Sequence, residues 1–212
     1  MGTYERRQRE AAQRRASILD AAKEVFWTGG YGGATIPQIA EKAELAPGTL
    51  YLYFPSKAAL YAELLAEGYD ILLERLQTAA ATDGPDHQRG QAMIDAFLGF
   101  ARDCPEYFDI IFFILQREGG AEGNLEPDRL ARLRQAESAC KAVASTVLGE
   151  LHYAGPARGK ASVEAFWSML AGVVLFFKDS PDFESVAAEA KRIILRAILG
   201  TEAASDQGAW TW

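Results

Sequence analysis

At 212 residues, 49% hydrophobic and 24% charged, the chain is long enough to bury a large core and too apolar to be disordered throughout. Its formal charge of −7 excludes a uniformly basic nucleic-acid binder, but the charge is uneven: residues 1–60 hold eight Lys/Arg against six Asp/Glu, and the remainder 14 against 23. Cys104, Cys140, His87 and His152 are the only cysteines and histidines and have no ligand spacing, so neither a metal site, a disulfide framework nor a cofactor is expected.

The N-terminus MGTYERRQRE lacks the apolar core of a signal peptide, and its five arginines, Arg6, Arg7, Arg9, Arg14 and Arg15, make it the end that would meet a phosphate backbone. A solvated helix start explains them equally well. The first helix is predicted from about Arg9 to Thr28, with Ile18, Ala22, Val25 and Phe26 on one face and Gly29-Gly30 as the stop. GGYGG at 29–33 follows no strand and precedes no Lys-Ser/Thr, so it reads as a turn and not a phosphate loop. Thr35-Ile36-Pro37-Gln38 has the pattern of a capping box and opens a short helix to about Lys42. Pro47 opens another to about Phe54, Pro55-Ser56 breaks it, and a long helix starts near Lys57 and runs to the turn-rich ATDGPD at 81–86.

Further helices are predicted at Gln88–Asp103, Pro105–Gln116, Pro127–Leu151, Ala161–Lys178 and Phe183–Leu199, the last stopped by Gly200. No stretch alternates with a period of two, so the fold class is all-α with about nine helices. The most apolar run, Ala165 to Phe177, falls short of the roughly 20 residues that span a bilayer. A cytoplasmic protein with no membrane partner is expected. Residues 201–212, with Trp210 and Trp212, have no period and are expected to form a loose tail.

In the helix opened by Pro47, Leu50 and Phe54 are one turn apart and face inward with Ile39, Ala40 and Leu45. Gly48 and Leu52 then point outward, with Thr49, Tyr51 and Tyr53 on the flanks. A narrow, bare end flanked by hydroxyl donors suits entry into a major groove. Leu52, with no packing role, is placed to meet a thymine methyl.

Over about residues 12–60 the sequence resembles the TetR family of transcriptional repressors. The resemblance is carried by AAKEVFWTGGYGGAT and then IAEKAELAPGTLYLYFPSKAALY, close to the pattern I-A-x-x-A-G-V-x-x-G-T-L-Y-x-Y-F-x-S-K-x-x-L. Glu44 stands where the pattern has glycine, which implies a strained left-handed backbone, and Ala46 stands where it has a capping serine. The resemblance implies that Thr35, Tyr51, Tyr53 and Lys57 hold phosphates while Gln38, Pro47, Gly48, Thr49 and Leu52 sit nearest base edges. The alternative for Tyr51 and Tyr53 is packing on the first helix, and for Lys57 a solvated helix start.

The resemblance implies a helix-turn-helix domain at 1–56 and an effector-binding and dimerisation domain at 57–200. Helical spacing in the latter singles out Met93, Phe97, Phe100, Tyr107, Phe112, Cys140, Trp167 and Leu170 as candidates for an effector cavity, and their lack of charge suggests an apolar or aromatic small molecule. Most such residues simply fill a core. Ala165–Phe177, apolar nearly all round, needs a second partner; with Val186, Ala190, Ile193, Ile194, Ala197 and Ile198 it is expected to form half of a four-helix dimer seam, the alternative being the central helix of a monomeric bundle. The function expected is a homodimeric repressor that binds a palindromic operator in double-stranded DNA and is released by its effector. A helical carrier that keeps an unused helix-turn-helix is the rival. No catalytic residue can be assigned, so an enzyme is not expected.

Overall fold

A computed structural model describes residues 3–114, 126–150 and 160–199. Among the described residues all regular structure is helical. The predicted tail at 201–212, the Gly-rich segment at 117–124 and the expected end of a helix at Gln116 lie outside them.

Helix α1 (Thr3–Gly33) starts earlier than the apolar pattern suggests, because the strong helix formers Arg, Gln, Glu and Ala carry it through a stretch with no buried side chain. It breaks at Gly30, whose φ of 65° favours glycine. Helix α2 (Ile36–Lys42) has the predicted capping box: Thr35 Oγ1 accepts from Gln38 N, and Gln38 Oε1 accepts from Thr35 N at 2.9 Å. Helix α3 (Pro47–Tyr51) is shorter than expected. Its regular bonding ends at Tyr51, and Leu52 to Phe54 follow as turns in which Tyr53 N and Phe54 N both donate to Leu50 O. Ala46 gives no side-chain cap, so Pro47 is what presets the first turn. Helix α4 (Lys57–Ala80) is capped by Ser56, whose Oγ accepts from Ala59 N at 3.1 Å.

The structure divides into two compact units. The first comprises the chain through Glu67 and, later in sequence, the segment that ends at Leu133 in helix α7 (Pro127–Glu150). Its core gathers Ile18, Ala22 and Phe26 of α1, Ile39 and Ala40 of α2, Leu50 and Phe54, and Leu60, Tyr61 and Leu64 of α4, all 3% exposed or less. Small Ala40 lets α2 pack closely within this core. Phe26 meets Tyr61 edge-on at 5.2 Å between ring centres. Glu63, only 13% exposed, accepts from Arg15 at 2.7 Å and Arg129 at 2.9 Å, with Arg132 at 3.8 Å. One carboxylate therefore joins α1, α4 and the start of α7.

The second unit contains the rest of α4, helices α5 (Asp86–Asp103) and α6 (Pro105–Asp109), all but the last residue of a π-helical turn (Ile110–Ile114), the remainder of α7, α8 (Lys160–Phe177) and α9 (Phe183–Leu199). The single helix expected from Pro105 is thus an α-turn followed by a π-turn, a change of bonding that side-chain periodicity does not reveal. Helix α8 packs on α9 and α5, and α9 also packs on α5. Phe97, Phe108, Phe112 and Trp167 form one aromatic cluster with ring centres 4.5 to 6.0 Å apart. Lys141 of α7 donates to Glu137 and Glu164, tying α7 to α8; burial works against its charge, but those hydrogen bonds outweigh it and raise its pKa.

Glu44, in the turn between α2 and α3, has φ of 56° and is the one non-glycine residue with positive φ among those described. Glycine adopts this conformation without a Cβ penalty, so Glu44→Gly is expected to stabilise the protein by about 0.5–1 kcal/mol. Urea unfolding of the variant checks this; an unchanged or lower midpoint counts against backbone strain at this turn.

Candidate nucleic-acid interface

A helix of five residues has no stability of its own, so the roll of α3 is fixed by what it buries. Leu50 and Phe54 are fully buried, which turns the opposite side to solvent: Leu52 is 83% exposed, Tyr51 51%, and Pro47 and Gly48 are exposed. A Cβ added at Gly48 would meet nothing within 4 Å, so the start of α3 is open on that side. Thr49 and Tyr53 are half-buried on its flanks. The structure therefore brings Pro47, Gly48, Thr49, Tyr51, Leu52 and Tyr53 together around one projecting element.

The other three expected contacts are tied into the framework. Thr35 and Gln38 are exposed at the start of α2, but their side chains engage each other, leaving the Gln38 Nε2 donors outward. Lys57 Nζ donates to Tyr31 O at 2.6 Å and Ala34 O at 3.0 Å and lies 4.3 Å from the centre of the Tyr31 ring. It therefore pins the turn after α1 to the start of α4, with one of three N–H donors left. That structural work is invisible in the sequence, since its acceptors are backbone carbonyls 23 and 26 residues away. Arg15, one of the five N-terminal arginines, holds its guanidinium 4.8 Å from the centre of the Phe54 ring, backing the end of the α3 segment.

The second unit holds a separate cavity of about 60 Å³ with an almost wholly apolar lining. Of the eight cavity candidates, Met93, Phe97, Trp167 and Leu170 line it, joined by Leu76, Gly90, Ile94, Ala144, Val147, Leu148, Val163, Phe166 and Ile194. Phe100, Tyr107, Phe112 and Cys140 do not line it. Phe100 is fully buried, and Phe112 stacks on Phe108. Tyr107 packs on Gly68, where an added Cβ would lie 3.0 Å from its ring. Cys140 donates to Tyr69 O at 3.6 Å. Ile194, expected at a seam between subunits, is 1% exposed and faces this cavity, and Val174 is likewise 1% exposed. Among the described residues, the large apolar side chains left outward on α8 and α9 are Met169 (42%), Phe176 (83%), Phe177 (36%) and Ile193 (47%).

Two short helices joined by a turn, the second bare on its outer face, define a helix-turn-helix protein. Residues 18–64 match the family model of bacterial regulatory proteins, tetR family, so this segment is similar to that family. The activator FasR of Mycolicibacterium smegmatis is 31% identical over 128 residues, which cover 60% of this chain and 55% of that protein. The repressor KstR of the same organism is 37% identical over 82 residues, 39% of this chain and 40% of that one. The chain thus spans about half the length, or less, of these curated relatives. The solved structure of AibR in complex with isovaleryl coenzyme A and operator DNA superposes with a TM-score of 0.68 at 16% identity, over 86% of this chain and 98% of that one. These relatives are transcriptional regulators and not enzymes. Among the described residues no helix is long and apolar enough to cross a membrane.

Burial, reinforced by the nearby Asp70 charge, pushes the Cys140 thiol up to about 12. At pH near 8 only about one molecule in 10⁴ then carries the thiolate. An alkylating reagent is expected to modify the half-buried Cys104 in the folded protein and to reach Cys140 only after unfolding; peptide mapping that finds Cys140 labelled first contradicts this packing.

Proposed function

We propose that the protein is a homodimeric, ligand-responsive transcriptional repressor that binds a two-fold symmetric operator through α3. The observation that carries the reading is the outward face of α3: an 83% exposed leucine beside an open glycine, on a helix whose roll is fixed by two fully buried side chains. Such a surface costs stability in water and suits a groove where Leu52 meets a thymine methyl and Thr49 a base edge. Tyr51 and Tyr53 on the flanks, with the remaining donor of Lys57 and the start of α2 at Thr35, supply phosphate contacts that fix register. Repression is the direction favoured by KstR, and FasR is the relative that argues for activation.

Two heads on one symmetric operator require a dimer, since half-sites lie about one helical turn apart. Met169, Phe176, Phe177 and Ile193 supply an apolar surface on α8 and α9 for it. The lining of the cavity contains no charged residue, so its occupant is an apolar group, aromatic or acyl, with any charged part outside. Isovaleryl coenzyme A, the ligand in the AibR complex, joins an acyl group to a charged carrier. Pockets for such ligands run to about 300 Å³ or more, so the effector has to widen the present cavity. That requirement gives it differential affinity for a second conformation, the condition for any release mechanism.

Footprinting on the region upstream of its own gene tests the DNA reading. Leu52→Ala and Thr49→Ala are expected to change which base pairs are preferred, by about 1–3 kcal/mol at the affected position, without altering the unfolding midpoint. Loss of stability in Leu52→Ala, or an unchanged preference in both, overturns the assignment.

Phe176→Glu is expected to give a folded monomer that binds the operator weakly, read by sedimentation velocity. A stable monomer in the unmodified protein ends the dimer reading.

A further inference from the structure

We propose that the arginine-bearing first turns of α1 form a second DNA contact surface, independent of sequence, in which Arg7 and Arg14 meet the phosphate backbone. This rests on the operator-binding reading and deepens it. From Tyr4 to Arg14 every residue of α1 is exposed, and the first buried side chain is Ile18. At 1.5 Å per residue, that leaves about 20 Å of helix standing beyond the core. No packing holds it, and a free helix of this length is only marginally stable in water.

The charge of the head makes this arm necessary for attraction to DNA. Residues 1–17 hold five arginines against two glutamates, a balance of +3, whereas residues 18–60 hold three lysines against four acids, a balance of −1. Those three lysines are also committed within the fold. Lys23 is 2.7 Å from Glu67, Lys42 is 2.6 Å from Glu24, and Lys57 donates to two carbonyls. Arg15 is held by Glu63, and Arg6 lies 3.5 Å from Glu10. Arg7 and Arg14 have no ion-pair partner within 4 Å among the described residues, and the arm keeps its balance of +3.

Their register gives the arm a direction. Tyr4, Arg7, Ala11, Arg14 and Ile18 follow one another at spacings of three and four, which puts them in one stripe along α1. At Ile18 this stripe becomes the face that packs into the head, and at Arg15 the helix passes the ring of Phe54, at the end of the α3 segment. Arg14 and Arg7 thus continue the head-facing side of α1 outward from beside the reading element. Two turns apart, about 10 Å along the axis, they reach different phosphates. Guanidinium groups, planar and permanently charged, suit such contacts.

The test is the salt dependence of binding by the full-length protein to a fluorescent random-sequence duplex several helical turns long, followed by anisotropy from about 50 to 200 mM salt. Each phosphate contact contributes about 0.9 to the slope of log K against log salt, so Arg7→Ala with Arg14→Ala is expected to lower it by about two per head. Affinity at the low-salt end falls at least tenfold, and Arg7→Lys with Arg14→Lys restores most of the slope. The exposed positions leave folding intact, which the helical circular dichroism and melting midpoint verify. An unmodified protein that binds, with the same slope in the double alanine variant, overturns the arm while leaving the operator reading standing. Failure of the unmodified protein to bind any duplex overturns both.

Discussion

The burial of Leu50 and Phe54 is the constraint on which the geometry of the α3 segment depends. A five-residue helix opened by a proline and lacking a side-chain cap has almost no preference for its own orientation. Two fully buried side chains one turn apart remove that freedom, and only then does the outward position of Leu52 and Gly48 become a fixed property of the molecule. The buried pair must in turn be met by a formed core, and Ile18, Phe26, Ile39 and Leu60, from three other helices, are all 3% exposed or less.

Polar contacts lock the same arrangement from outside the core. Arg15 covers Phe54 and reaches Glu63; Lys57 fastens the turn after α1 to the start of α4; the Thr35–Gln38 box fixes where α2 begins. Glu63 also receives Arg129, so the start of α7 belongs to this unit although it follows more than sixty residues later in the chain. Little of this charge pairing is surface decoration. Glu63 itself is shielded at 13% exposure, so its loss would leave Arg15 and Arg129 without this partner.

In the second unit the governing fact is that α8 has two apolar faces. One, with Val163, Leu170, Ala171 and Val174, is buried within the unit; the other, with Met169 and Phe176, stays open. A helix apolar all round is stable in water only when both faces are covered. The cavity beside the inner face is small, and close packing makes such an interior respond to an inserted group by moving whole helices instead of yielding locally.

The sequence by itself determined that the chain is helical, the capping box at Thr35 and the outward face of α3, because each is set within a few residues by backbone sterics, hydrogen bonding or the angle between neighbouring side chains on one helix; the left-handed turn at Glu44 was implied only by the resemblance, and the π-turn at Ile110–Ile114 left no mark in the periodicity. It did not determine which partner each apolar face meets. Ile193 and Ile194 are equally apolar and adjacent, yet one is open and the other lines the cavity. Phe97 lines that cavity while Phe100, one turn on, is buried elsewhere in the unit. Lys57 carries the same charge whether it faces solvent or two carbonyls. These choices were made only by the tertiary structure. Periodicity fixes a side chain's angle about its own helix axis, but which helix lies opposite depends on crossings between segments distant in sequence, and no local pattern encodes those.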